Sequence, residues 1–565
     1  MGVTLLTGAD ALERIGTDAF QSRWRTLYAA CPWVTACQHP DFVLTWYRCY
    51  RARYLPVVVF DEDDGGALSG LLTLALHRGG RKLSGAGDHQ AEYQGWMQRP
   101  DRDASFILAA IRALRSAYPA ADLQLRYLPP GMPLDAFQAG GNVGAPFSLH
   151  RYRRPLMRIE AAAMARQRNK KNHRQNFNRL GRGAAVRFEH VVGHGEFVAA
   201  FDEMCMQYDF RQAALYRSMP FTDDPAKKPF YIGLHEKGML HVSVLRVGEA
   251  IAASHIGLLT HGRAVHLGIN THDPACAAHS PGNLLLAMLG VHLADEHIPW
   301  LDLTPGGDRY KEHFATDHDV VFGLTVYANQ TRRWRDETVL AATGVVKDKL
   351  QNAGYRPDAI MAAIQKLKHR GGMKVLYAAL RRRAPVQAKL FRHGGMVASG
   401  PENDLSISRN RLHDVMRFDA LGASFDYREF LSAAMRRMER SCDVYSHVRD
   451  GKLQICCWAQ AGFPGAEMAD AGMDRAPAAD AIVLSNLYVH RDLGKDGLIR
   501  DFLLQIVTDL HGRKSDVSVY YRGVLDDALR TVMETCGFSE EARALACGRA
   551  RNGMDVNRDQ KHEYP

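Results

Sequence analysis

At 565 residues, 46% hydrophobic and 24% charged, the chain is too long for one core and has the composition of an ordinary globular protein. No run approaches the ~18 consecutive apolar residues of a membrane-spanning helix. The start, MGVTLLTGADALERIG, lacks the basic-then-apolar pattern of a signal peptide, which predicts a cytoplasmic protein. The net charge of +10 is concentrated in two stretches, so a general affinity for polyanions does not follow from it.

In chain order, residues 1–155 predict helices at DAFQSRWRTLYAAC and HPDFVLTWYRCYR, then strands at LPVVVFD and LSGLLTLALH. A second helix-strand pair follows at ASFILAAIRALRS and DLQLRYLP. Residues 156–330 open with a basic helix, ARQRNKKNHRQNFNRLGR, holding seven Lys/Arg and no acid. A strand at AVRFEHV and a helix near EFVAAFDEMCMQYDF come next. Residues 239–270 then read as three strands joined by Gly-containing turns. A helix starts at Ser280, followed by a strand IPWLDLT, a short helix DRYKEHFA and a strand VVFGLTVYAN.

Residues 331–399 predict a basic helical linker: between Thr331 and His393 fifteen Lys/Arg face four Asp/Glu, and FRHGGMVASGPEND is Gly-rich. Residues 400–565 repeat the order of the second segment: a hairpin at DVYSHVRDGKLQICCWAQ, then strand, helix, strand and helix. The fold class is therefore α/β (α+β), with mixed twisted sheets flanked by helices.

In AHSPGNLLLAMLGVHLADEH, Ser280 is a good N-cap, Pro281 suits the first helical position and Gly282 leaves the backbone bare. Leu285, Met288, Leu289 and Leu293 share one face. Such a helix N-terminus after a strand suits a pyrophosphate; an ordinary capped helix is the alternative reading. Beyond it, WLDLT leads into Pro305-Gly306-Gly307 and then Asp308, Arg309, Tyr310 and Lys311.

HSPGNLLL (279–286) and LDLTPGGDRYKEHF (301–314) together resemble motifs of the CelD/BcsL-type cellulose-biosynthesis acetyltransferases. That family belongs to the GNAT (Gcn5-related N-acetyltransferase) superfamily and is related to the Fem-type peptidyltransferases. The resemblance covers roughly residues 20–330. It implies a GNAT-like N-terminal lobe (1–155) and a catalytic GNAT lobe (156–330), and the repeated element order points to a further GNAT-like lobe at 400–565. Acyl-CoA would lie between splayed strands 264–270, including Ile269, and 300–304. Its pyrophosphate would rest at Ser280, Pro281, Gly282, Asn283 and Leu284, and a backbone N–H of the first strand would stabilise the oxyanion.

By the same resemblance Tyr310 would protonate the departing thiolate, and Lys311 would hold a phosphate or polarise a carbonyl. His255 would serve as base, and Asp308 would orient Tyr310 or Lys311. Each has a structural alternative: Tyr310 as core, His255 as a buried strand histidine, Asp308 as a helix cap.

Other signals are weaker. RDLGKDG (491–497) partly resembles a GNAT phosphate loop with one residue too many between its glycines. No GxSxG, HExxH or GxxxxGK[ST] occurs, the ten cysteines show no CxxC, and no metal is expected. Ile360, Ile364 and Leu367 form an apolar stripe against a basic face, which would allow peripheral contact with an anionic inner-membrane surface.

Three functions remain open. The first is acyl transfer from acetyl-CoA, another acyl-CoA or an acyl carrier protein to an amine or hydroxyl of a sugar, amino acid, glycan or secondary metabolite. The second is amide formation from aminoacyl-tRNA. The third is a non-catalytic part of an exopolysaccharide system.

Overall fold

The computed structural model describes residues 3–137, 143–260, 262–352, 387–394, 401–403, 405–420, 426–462, 481–491, 497–513, 517–523 and 527–546. The chain divides into two compact units. The first comprises residues 1–205, 220–271 and 281–345, the second residues 206–219, 272–280 and 346–565.

The strands of the first unit are β1 (Thr4–Thr7), β2 (Tyr54–Glu62), β3 (Leu68–His77), β4 (Lys82–Gly85), β5 (Met97–Gln98), β6 (Asp122–Leu125), β7 (Phe147–Arg158), β8 (Val186–His190), β9 (Leu240–Val247), β10 (Ala250–Thr260), β11 (Ala264–His272), β12 (Trp300–Asp302) and β13 (Asp317–Val326). They form one mixed sheet in the order β1-β2-β3-β4-β6-β13-β7-β12-β11-β10-β9-β8, with β5 on β3. The helices are α1 (Gly8–Gly16), α2 (Asp18–Ala30), α3 (Pro40–Tyr50), α4 (Ser105–Ala117), α5 (Ala161–Arg168), α6 (Lys171–Leu180), α7 (His194–Tyr216), α8 (Lys227–Glu236), α9 (Pro281–Asp295), α10 (Arg309–Phe314) and α11 (Gln330–Asn352).

β2 and β3 are buried almost continuously, as strands covered on both faces are. α2 turns Phe20, Trp24 and Leu27 inward at helical spacing. α9 packs Leu286, Leu289 and Leu293 against Val265, Leu267, Leu301 and Leu303. Gly290 permits that approach, because a Cβ there would lie 2.6 Å from both Met157 Cε and Met164 Sδ. β7 is not foreshadowed by its arginine-rich sequence. It spans 12 residues, pairs with β12 and β13, and contains residue 155, so residues 1–155 and 156–330 share a sheet.

The second unit contains β14 (Gln387–His393), β15 (Ile407–Arg409), β16 (Asp443–Arg449), β17 (Lys452–Ala461), β18 (Ile482–Val489), β19 (Val519–Gly523) and β20 (Phe538–Ala546), in the order β15-β16-β17-β18-β19-β14-β20. Its helices are α12 (Leu412–Met416), α13 (Tyr427–Glu439), α14 (Gly497–Arg513) and α15 (Asp527–Thr535). Phe502, Leu503 and Ile506 of α14 pack with Ile455, Leu484 and Val519. The order reproduces β8-β9-β10-β11-β12-β7-β13 strand for strand, and β18 and β19 form the one parallel pair, as β11 and β12 do there. The repeat read in the sequence is thus a repeat of topology.

One expectation is corrected. Residues 387–393 were assigned to a basic helical linker but form a strand between β19 and β20, with Leu390 and Phe391 buried. Flanking basic residues hid a short apolar pair. The stripe of Ile360, Ile364 and Leu367 and most of the RDLGKDG turn lie outside the described residues. Among the described residues no helix is long and apolar enough to cross a membrane, and nine cysteines are free thiols.

Candidate functional site

β11 and β12 run parallel for three rungs, Ala264↔Trp300, Val265↔Leu301 and His266↔Asp302. There the ladder ends. β11 continues to His272, while the chain after Asp302 turns away. The turn is strained: Thr304 has a left-handed backbone, φ 60°. Its N–H donates to Asp302 Oδ1 at 2.8 Å, which helps to hold that conformation. Gly306, φ 155°, lies where a Cβ would be 3.2 Å from Lys311 Nζ. Gly306 therefore serves a tight corner leading into α10.

Asp302 is buried and centres a polar network. Its Oδ2 accepts from Tyr93 OH (2.7 Å), Arg154 Nη1 (2.9 Å) and His266 Nδ1 (3.1 Å). Arg154 also forms a two-pronged pair with Asp319. Burial alone would raise the Asp302 carboxyl. The His266 hydrogen bond, the Arg154 charge and the Tyr93 hydroxyl outweigh it and hold the group well below the usual carboxylate range. Burial, and then the Asp302 charge, raise the Tyr93 phenol, so it acts as a neutral donor.

On the other side of the ring, His266 Nε2 lies 2.9 Å from Thr260 Oγ1, which accepts the Ala36 N–H at 2.9 Å. The Asp302 carboxylate only accepts, so His266 Nδ1 carries a proton. In the neutral ring the lone pair then sits on Nε2, where the Thr260 hydroxyl is placed to donate to it. This Asp302–His266–Thr260 relay has the connectivity that orients a general base. It borders a cavity of about 310 Å³, lined also by Trp33, Arg154 and Arg263.

A second cavity, about 500 Å³, lies beside the first two turns of α9. Leu284, Ala287 and Met288 form its apolar wall, and Arg168, Lys171 and Arg174 of the basic segment face them. The backbone N–H groups of the first turn of α9 have no partners within the helix.

The residues expected from sequence fall in several places. Lys311 is buried and donates to Thr304 Oγ1 at 3.1 Å, with Asp308 Oδ2 3.6 Å away. Asp308 holds the N-cap position of α10 without a side-chain cap bond. Half-buried Glu92 is near enough to feel the Lys311 charge, but burial dominates and raises its carboxyl. Tyr310 packs against the apolar cluster under α9. His255 is fully buried, neither ring nitrogen has a hydrogen-bond partner, and burial holds it down to about 4.

Ser280 precedes α9 with a left-handed backbone, φ 49°, rather than the extended conformation of an ordinary N-cap. Its N–H donates to Ala277 O. Pro281, Leu284 and Ile269 are buried, and Gly282 and Asn283 are half-buried. Sequence reasoning missed His266, Asp302, Thr260, Arg154 and Tyr93. The available signal was a lone histidine and a lone aspartate inside two apolar strands read as neighbours. Arg154 and Tyr93 lie 148 and 209 residues from Asp302 and carry no local signal.

Residues 166–312 match a family model described as an acetyltransferase (GNAT) domain. That stretch runs from the basic helices through β8–β12 into α10, about a quarter of the chain. No curated protein matches the chain in sequence. Among solved structures it is similar to FemX, with 9% identity and TM-score 0.39, covering 54% of this chain and 95% of that one. It is also similar to the C-terminal domain of a lysylphosphatidylglycerol synthetase from Agrobacterium fabrum, with 12% identity and TM-score 0.36, covering 58% and 95%. A tandem GNAT protein of the clavulanic acid pathway gives 13% identity and TM-score 0.34, covering 58% and 99%.

Proposed function

We propose that the chain is an N-acyltransferase that moves an acyl group from acetyl-CoA or another acyl-CoA to an amine seated beside His266. The observation that carries this reading is the Asp302–His266–Thr260 relay at the last rung before β11 and β12 part. The amine nitrogen attacks the thioester carbonyl, and a C–N bond forms as the C–S bond breaks. The amine proton passes through the Thr260 hydroxyl to His266 Nε2, and Asp302 stabilises the imidazolium. The thiolate takes a proton from Tyr310 or Lys311. The donor phosphates lie against Arg168, Lys171 and Arg174 and the first turn of α9, at Gly282, Asn283 and Leu284. Trp33 offers the acceptor a flat apolar face in the cavity that His266 and Asp302 also line.

The same basic cavity supports a second reading, with an acyl carrier protein or aminoacyl-tRNA as donor. The CelD/BcsL-type resemblance directs the acceptor toward a glycan or small molecule of polysaccharide biosynthesis, and the site of action toward the cytoplasm or the inner membrane's edge. Incubating the full chain with a panel of acyl-CoA thioesters and host extract tests the first reading. Acceptor-dependent thiol release with a new acylated mass is expected. Product formation that needs no thioester and is abolished by ribonuclease would replace it with the tRNA-dependent reading. No product from either donor would leave a non-catalytic role.

A further inference from the structure

A second polar cluster sits in the first unit, on the α9 side of the sheet. His190 ends β8, His241 lies in β9, and His292 and Glu296 occupy successive turns at the C-terminal end of α9. His190 Nδ1 is 3.0 Å from Glu296 Oε1, His292 Nε2 is 3.1 Å from the same oxygen, and the two nitrogens are 3.0 Å apart. His241 Nε2 is 3.2 Å from Glu296 Oε2. All four ligand atoms fall within 4.8 Å of one another.

Protons alone do not satisfy this arrangement. Two N–H groups aimed at one oxygen from 3 Å apart would place their hydrogens against each other. If only one nitrogen is protonated it can donate to the other, but that second nitrogen still turns its lone pair toward the Glu296 carboxylate. His241 is 1% exposed, and its Nε2 approaches Glu296 without the alignment of a hydrogen bond, so it has no hydrogen-bond partner. His241 Nδ1 lies 3.3 Å from Ser243 Oγ, a partner to which it can donate when the Nε2 lone pair is turned into the cluster. A divalent cation removes every conflict, since all four groups then act as donors of electron pairs. Tetrahedral zinc with N and O ligands at ~2.0–2.1 Å has ligand–ligand edges of roughly 3.3 Å, close to the separations found here.

We infer that His190, His241, His292 and Glu296 form a zinc site that ties β8 and β9 to the C-terminal end of α9. Three imidazoles and one carboxylate suit Zn2+ over harder cations, and four protein ligands describe a structural rather than a catalytic ion. His190, His241 and Glu296 line a cavity that gives the ion an entry path, and the Glu296 side chain is 29% exposed. The site leaves the acyl-transfer residues untouched and holds the end of α9 opposite the donor cavity. Only the i, i+4 spacing of His292 and Glu296 is visible in sequence; the other two ligands come from separate strands.

The test uses the full chain, stripped with a strong chelator and then titrated with Zn2+ against a weak one. One tightly held equivalent and a raised melting temperature are expected. Co2+ in its place should give the intense visible bands of a four-coordinate ion. His292→Ala combined with Glu296→Gln, both at partly exposed positions, should weaken Zn2+ binding at least ~100-fold, the upper end for losing even an outer-sphere partner. The inference is overturned if the wild-type chain holds no Zn2+ equivalent, if Co2+ shows only weak six-coordinate bands, or if the double variant retains the ion equally. The wild-type titration and Co2+ spectrum decide the matter even if the double variant fails to fold.

Discussion

Asp302 accepts four hydrogen bonds while almost fully buried, and its charge offsets the buried Arg154 guanidinium. Asp302→Asn removes that charge while keeping the shape. Turnover should fall at least ~100-fold, because His266 loses the carboxylate that fixes its tautomer and orientation. Stability should fall by about 3 kcal/mol, as when one member of a buried pair is removed. The sign with pH follows from the depressed carboxyl. Its stabilising contribution is complete above the unfolded value of about 3.9 and is lost as pH falls toward the lower folded value. Denaturant titrations at pH 3 to 7 should show a flatter acid limb in the variant.

His255 carries the opposite lesson. It is held down to about 4 by burial, so its contribution to stability is complete above about 6.5 and is lost as pH falls from 6.5 to 4. That loss amounts to roughly 3 kcal/mol at most. His255→Leu should abolish that pH dependence and keep activity within threefold. A folded variant with tenfold lower turnover would return the base role to His255. His266 would have been hard to prefer from the sequence, since both histidines lie in apolar strands and only the partners across the sheet tell them apart.

Elements explain which parts were legible. The three strands β9–β11 and helix α9 follow from apolar periodicity and turn glycines, and the structure has them within a residue or two. β7 was not legible, because its arginines obscure the alternation that pairing on both edges imposes. The close packing of β10 on β11 is another element-scale fact that no pattern reveals. A Cβ at Gly257 would come 2.4 Å from the His266 carbonyl oxygen and 2.7 Å from His255 Cε1. Gly257→Ala should therefore cost about 1–3 kcal/mol by overpacking and displace His266. Calorimetry should show a lower melting temperature, with turnover reduced more than donor affinity. An unchanged melting temperature would mean that the two strands can separate freely.

At the scale of the molecule, one seven-strand order appears twice, and only the first copy carries the Asp302-centred network and the match to the GNAT domain. Arg168, Lys171 and Arg174 of the basic segment line the cavity beside α9, which the proposed function assigns to the donor phosphates. Replacing all three by Ala should raise the donor KM at least ~10-fold at low salt and leave kcat within threefold, with the difference shrinking as ionic strength rises. Equal KM values at low salt would place the donor phosphates elsewhere. The most direct measurement is single-turnover thiol release from an acyl-CoA with a saturating amine acceptor, comparing the wild-type chain with His266→Gln. The account expects acceptor-dependent release in the wild type, slowed at least ~100-fold in the variant with donor binding unchanged. Equal release in both chains, or release that does not depend on the acceptor, would contradict it.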